Sequence, residues 1–392
     1  MTGSFDLEAF AAAYREAEMA AALSVDPRVL QCASSPVFQD NGFPGRGIGR
    51  ANLGYFLDSQ QENRGLRYLR LLGGLTQPEL ARLERAIAVL RDARTGSPQA
   101  RAPGVSAVLH ALYLERSIRA TVPSLDTVLE IGPGSGWLGL FLPLGDTKYS
   151  STDVNANFFA VQDYLLRQHG APWRLCNYID LQDASAPLRH YPWWVFYQLF
   201  ERPAELPALD CIVVSHAICE LPEWSLRYLL ALARRVLRPG SGRIILQDFG
   251  DERVRTRLQL LGHLWEYGFR IASITTGCSR ESEPDRPGAR RGAAAPRALC
   301  TECVEIALDE EGAQARSLLG LPARLRRSLS GLLPPARHDA AFYRILRLAG
   351  VRRRLLRWRE KPAIGVDAVL ERFKLDESAL SNEFFRFSGI AH

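Results

Sequence analysis

Lysine is nearly missing from this chain of 392 residues: of 49 basic side chains, only Lys148, Lys361 and Lys374 are lysines. The net charge of +6 is carried by arginines spread along the whole chain, so by itself it says little about partners. Also missing is any uncharged apolar run of about 18 residues, which excludes an ordinary membrane-spanning helix. Seven cysteines are too few in this length for a disulfide scaffold and read as reduced thiols. The amino-terminal stretch MTGSFDLEAFAAAYREAEM places Asp6, Glu8 and Glu16 where a signal peptide needs a basic start, so a cytoplasmic protein is expected. With 47% hydrophobic and 23% charged residues, neither disorder nor a fibrous repeat fits. What is present is a globular chain long enough for about two or three structural units.

Charge divides these units. Residues 313–392 hold sixteen basic against seven acidic side chains, a local net of +9, leaving −3 for the rest. The first hundred residues read as mainly helical: Phe5, Leu7, Phe10, Tyr14 and Leu23 recur among alanines and glutamates, and 78–92 has helical spacing behind a proline. Between them, 40–56 is glycine-rich and irregular. From about 124 the pattern changes to short apolar runs alternating with helical stretches, the mark of a parallel sheet with helices on both faces. Strands are expected at 126–131, 148–154, 173–179, 209–215 and 243–248. Two further runs, 269–276 and 298–307, predict a closing hairpin. A helix is expected over Leu226, Leu229, Leu230, Ala233 and Leu237, stopped by Pro239 and Gly240. The basic tail, with LLGLPARLRRSLSGLL and FYRILRLAGVRRRLLRW, reads as helical. Leu346, Leu348, Leu355 and Trp358 recur among its arginines and predict an apolar stripe packed on the sheet domain.

One segment carries chemistry. Glu130, Ile131, Gly132, Pro133, Gly134, Ser135 and Gly136 follow a strand and open a helix. Alternate glycines let the backbone turn sharply and approach a ligand at the carboxyl end of a parallel strand. Asp153, at the end of the next strand, is a carboxylate able to accept both hydroxyls of a ribose. Gly134, Gly136 and Gly139 also satisfy the dinucleotide fingerprint, so the loop alone leaves NAD open.

The wider wording resembles the class I S-adenosylmethionine-dependent methyltransferases: VLEIGPGSGWLG, then STDVN, then RVLRPGSGRIILQD, then a terminal strand pair, over roughly 105–308. The resemblance implies a Rossmann-like α/β fold with a seven-stranded methyltransferase sheet and a closing antiparallel hairpin. It divides the chain into a helical amino-terminal region, 1–104, the methyltransferase domain, 105–310, and a basic helical carboxy-terminal element, 311–392. It implies S-adenosyl-L-methionine as cofactor. Glu130, Gly132, Pro133, Gly134 and Gly136 correspond to the methionine-side loop and Asp153 to the ribose ligand. Asp183 corresponds to the acidic residue that contacts the adenine amino group, with Asp180 competing for that place. The long helical region, the tail and LEIGPGSGWLGLFL resemble bacterial sugar O-methyltransferases, which implies a sugar or glycosylated hydroxyl as acceptor; a natural-product hydroxyl or amine is the alternative.

Methyl transfer needs an oriented acceptor and, for an unactivated hydroxyl, a base. The carboxyl end of the fourth expected strand reads Ser215, His216, Ala217, Ile218, Cys219, Glu220. His216 is the candidate base, Glu220 its orienting carboxylate if the chain turns helical, and Asp248 the rival. Where that resemblance leads one to expect an Asn after this strand, Ser215 and His216 stand instead. Tyr191, Trp193, Trp194, Phe196, Tyr197 and Phe200 read as a helix that either packs in the core or offers flat faces to an acceptor. No [DNS]-P-P-[YFW] turn and no Pro-Cys nucleophile is present, so no nucleic-acid substrate is expected. Cys300 and Cys303 form C-x-x-C, but a spacing of three in a strand sends side chains to opposite faces, and with only Cys278 nearby no metal site is expected. A reading of another class is a non-catalytic, methyltransferase-like binding module whose Arg-rich run 352–359 meets anionic partners.

Overall fold

Parallel strands covered on both faces need apolar side chains pointing both ways. In β1 (Thr127–Ile131), Val128 enters one core while Leu129 and Ile131 enter the other. The structure, a computed structural model, describes residues 7–26, 65–94, 105–122, 124–134, 136–142, 147–154, 156–169, 175–177, 186–202, 206–250, 254–278, 300–309, 338–355 and 361–375.

The other strands are β2 (Lys148–Asp153), β3 (Leu175–Asn177), β4 (Leu188–Pro192), β5 (Cys211–Ser215), β6 (Arg243–Gln247), β7 (Phe269–Cys278), β8 (Cys300–Leu308) and β9 (Arg352–Leu355). They form one sheet of order β3-β4-β2-β1-β5-β6-β8-β7-β9, in which β8 alone runs antiparallel to its neighbours. Seven consecutive members, from β4 to β7, give the expected seven-stranded sheet with its closing hairpin. From β1 the chain goes to β2 on one side and later to β5 on the other, so the loop after β1 lies at a switch point, where open sheets bind ligands.

The helices are α1 (Leu7–Ala22), α2 (Gly65–Leu72), α3 (Gln77–Arg94), α4 (Val105–Thr121), α5 (Leu138–Phe141), α6 (Ala156–His169), α7 (Trp193–Phe196), α8 (Glu223–Val236), α9 (Arg257–Glu266), α10 (His338–Leu348) and α11 (Val366–Phe373). One face of the sheet carries α2, α3, α4 and α5, joined by Val369 and Leu370 of α11. Arg116 fastens this layer, donating to Glu79 through two bonds of 2.5 Å and to the carbonyls of Leu72 and Gly74. The opposite face carries α8 and α9, Tyr14 of α1, and Phe342 and Leu346 of α10. The tail therefore contributes to both cores, as its apolar stripe predicts for Leu346; Leu348 is 73% exposed, and Trp358 lies outside the described residues.

Two expectations are corrected. The strand beside β2 is not the one expected at 173–179, which forms only the short edge strand β3; it is β4, inside the aromatic segment read as a helix. Extended backbone wins there because Leu188 and Tyr191 enter opposite cores, while Pro192 ends the pairing and starts the single turn of α7. The second correction concerns the arginine run. Gly350, at φ +69°, stops α10: its N–H donates to Arg347 and the N–H of Val351 to Leu346, a left-handed helix stop, after which 352–355 pair in parallel with β7. The glycine-rich stretch 40–56 and the expected helix around 318–333 lie outside the described residues.

Candidate active site

The loop after β1 is bent by three glycines at positive φ, Gly132 at 63°, Gly134 at 56° and Gly136 at 76°. The N–H of Gly132 donates to Thr152, holding the loop to the end of β2, and the N–H of Gly136 donates to Pro133 at 2.9 Å. A Cβ on Gly136 would stand 2.8 Å from Cγ of Gln162, so the approach of α6 requires glycine there. Gly139 serves packing instead, because its missing side chain makes room for the Tyr149 ring beneath α5.

Two carboxylates flank the loop. Glu130 is fully buried and accepts a hydrogen bond from the Tyr149 hydroxyl. Burial pushes its carboxyl up to about 7, with the charge of Asp153 adding in the same direction and the Tyr149 bond opposing it. Asp153, 4% exposed, accepts from Nε2 of Gln162 at 3.1 Å, and the same amide donates to the carbonyl of Gly134 at 2.6 Å. Beside Asp153 lie two buried polar atoms with no hydrogen-bond partner among the described residues: Oε1 of Gln162, whose amide nitrogen bonds that carboxylate, and Oη of Tyr14, whose phenol feels its charge. A buried polar group without a partner costs about 1–3 kcal/mol, so two beside one carboxylate mark a place built for a polar ligand.

At the carboxyl ends of β5 and β6 the chain is strained. His216 and Asp248 both have positive φ, 53° and 47°, a conformation that side chains other than glycine adopt rarely. Backbone bonds continue past the strand ends, from His216 N to Gln247 O at 2.9 Å and from Cys219 N to Phe249 O at 2.8 Å. They bring Nε2 of His216 within 3.6 Å of the Asp248 carboxylate. Glu220 stands in the turn 218–220, its Cγ against Gly250. Thus two of the three candidate catalytic residues meet, and the carboxylate placed at the imidazole is Asp248.

A second imidazole arrives from outside the sheet. His110 of α4 lies 2.6 Å from Oε1 of the fully buried Gln247 and 3.5 Å from Oγ of Ser215, its ring 5.2 Å from that of His216. His110, His216, Ser215, Glu130 and the loop together line a cavity of about 100 Å³. Sequence reasoning missed His110, Gln247, Gln162 and Tyr14. Gln162 left a trace, a polar residue inside the apolar run FFAVQDYLL; His110 and Tyr14 left none, since each sits on an ordinary helical stretch.

Asp180 and Asp183 lie outside the described residues. Of the aromatic segment, Tyr191, Trp193, Trp194, Phe196 and Tyr197 are buried in the core, and Tyr197 also lines an open cavity of about 550 Å³ with Phe200, Trp224 and Tyr228. Among the described residues no three His, Cys, Asp or Glu side chains group as metal ligands, and no helix is long and apolar enough to cross a membrane.

No family model matches the sequence, and no curated protein matches it. Solved structures do. The N-methyltransferase NodS from Bradyrhizobium japonicum WM9 in complex with S-adenosyl-L-homocysteine is 14% identical, over 59% of this chain and 99% of its own, with a TM-score of 0.35. The glycopeptide N-methyltransferase MtfA complexed with S-adenosyl-L-methionine is 17% identical, over 52% and 94%, also at 0.35. Residues 961–1257 of the StiE O-MT are 12% identical, over 63% and 87%, again at 0.35. The fold of this chain rests on its own strand order.

Proposed function

We propose that the protein transfers a methyl group from S-adenosyl-L-methionine to a small-molecule acceptor, in particular a hydroxyl of a sugar or glycosylated compound. The observation that carries the reading is the pairing of the Gly132 to Gly136 loop with the buried Asp153, beside which Tyr14 and Gln162 keep polar atoms that lack partners among the described residues. A nucleoside fits this chemistry: Asp153 accepts from the ribose hydroxyls and the loop receives the methionine side. When bound, the cofactor supplies an electrophilic methyl on a sulfonium, a leaving group that needs no protonation.

The chain's own residues must then position the acceptor and manage its proton. His216, at the end of β5 and on the wall of the cavity beside the loop, takes the proton of the acceptor hydroxyl. Asp248, 3.6 Å from its Nε2, stabilises the imidazolium that results. Ser215 and His110 line the same cavity and orient the acceptor. The resemblance of the sequence to sugar O-methyltransferases supports the choice of a hydroxyl, as does a base suited to an unactivated one.

The test is titration calorimetry with S-adenosylhomocysteine, with NADH as the control. Binding of the first and not the second is expected. Asp153→Ala should weaken S-adenosylhomocysteine by about ten- to a hundredfold, the loss of hydrogen bonds to a charged acceptor. Tight NADH binding, or an Asp153→Ala variant of unchanged affinity, would sink the reading.

A further inference from the structure

The residues expected to hold the nucleoside all come from the sheet and its loops, yet the unpartnered polar atoms beside Asp153 come from helices. Gln162 belongs to α6, which follows β2 directly, but Tyr14 belongs to α1, far away in sequence. Its ring is clamped at 5.2 Å from Phe159 and 5.1 Å from Trp194. Trp193, next to Trp194, donates to Glu18 one turn along α1 at 2.9 Å. Because Pro192 is the register partner of Asp153, this contact sets α1 over the ends of β2 and β4, on the ribose side of the loop.

The clamp leaves the Tyr14 hydroxyl 0% exposed and without a partner among the described residues. Packing alone does not ask for that oxygen, since phenylalanine would fill the same space without the desolvated hydroxyl. Burial, then Glu18, then Asp153 raise this phenol well above its usual range, so it stays a proton donor. Donors are what the ribose side lacks. A carboxylate only accepts, so Asp153 satisfies the protons of the two ribose hydroxyls and leaves their oxygens open.

We propose that Tyr14 is a cofactor-binding residue: its hydroxyl donates to a ribose oxygen of the nucleoside that Asp153 holds, and α1 thereby forms one wall of the cofactor site. The inference rests on the reading of S-adenosyl-L-methionine as cofactor and adds a residue that lies outside the sheet domain. Gln162 completes the arrangement. Its Nε2 is engaged with Gly134 and Asp153, while its Oε1 is left to accept from the ligand.

Tyr14→Phe tests this directly, because it removes one oxygen and keeps the ring. Calorimetry with S-adenosylhomocysteine should show an affinity about five- to tenfold lower than that of the parent protein, the contribution of one hydrogen bond. Thermal unfolding without ligand should show a midpoint equal to or above the parent's, since a buried hydroxyl without a partner has been removed. An affinity within about twofold of the parent overturns the proposal and leaves the cofactor reading standing. A lowered midpoint with unchanged affinity also overturns it, making Tyr14 a packing residue. If the parent protein itself does not bind S-adenosylhomocysteine, both the cofactor reading and the proposal fall.

Discussion

Among single residues, the chemistry concentrates where the backbone is least relaxed. His216 and Asp248 are held at positive φ by the backbone bonds that extend β5 and β6 past their ends. Gly250 is part of that hold: a Cβ there would stand 2.6 Å from the carbonyl oxygen of His216. Strain of this kind persists when surrounding structure over-determines it, and here it brings a carboxylate to an imidazole that lines the cavity beside the loop. His216→Gln keeps a polar side chain of similar reach and removes the proposed base. It should lower the methyl-transfer rate at least about tenfold while leaving S-adenosylhomocysteine affinity unchanged, with rate measured by transfer of labelled methyl and affinity by calorimetry. An equal rate in that variant would pass the role of base to Asp248.

Among the secondary-structure elements, helices outside the sheet build the site's walls. α4 delivers His110, and its position is fixed from behind by the Arg116 and Glu79 pair. α10 packs Phe342 and Leu346 into the core on the opposite face, with the Phe342 ring 5.9 Å from that of Phe249, the neighbour of Asp248. The tail is thus a structural part of the molecule, and its apolar stripe can be tested side chain by side chain. Leu346 is 3% exposed and Leu348 is 73% exposed, although both are leucines on the same helix. Leu346→Ala should cost about 2–5 kcal/mol in urea unfolding, and Leu348→Ala no more than about 0.5 kcal/mol. Equal effects from the two would mean that α10 does not dock as described.

For the molecule as a whole, two buried groups give stability opposite dependences on pH. His190 is stacked on Phe159 with ring centroids 3.7 Å apart and bonded to Ser151, and burial lowers its pKa from 6.5 to about 3. Between those values the unfolded chain binds a proton that the folded one refuses, so stability is lost as pH falls through this window. Glu130 acts the other way. Its carboxyl rises from 4.5 to about 7, so over that range the folded chain holds a proton that the unfolded one has released, and stability declines as pH rises. Each contributes a slope of up to about 1.4 kcal/mol per pH unit, and between 4.5 and 6.5 the two oppose one another. Glu130→Gln removes only the second. Relative to the parent, this variant should gain stability between about pH 5 and about pH 7 in denaturant unfolding, with the gain levelling off above. A difference between the two proteins that stays constant over this range would show that Glu130 is already ionised in the folded state.

The alternating architecture, the glycine loop and the places of Asp153 and His216 at strand ends were legible in the amino-acid sequence because they depend on local signals: apolar periodicity, turn residues and the last positions of strands. The stop at Gly350 was not read: the helical spacing on either side of it carried the expected helix through the arginine run, which pairs as β9 instead. Which distant segments share a place emerges only in the folded chain. β4 displaces β3 beside β2 because Leu188 and Tyr191 can serve two cores at once, a competition that no window of sequence contains. Asp248 comes within 3.6 Å of His216 because backbone pairing past β5 and β6 sets the spacing between them. Tyr14 and His110 reach the site on helices whose own sequences spell only amphipathic packing. Their roles come from the sheet that those helices cover, and burial and partnership are properties of the folded chain.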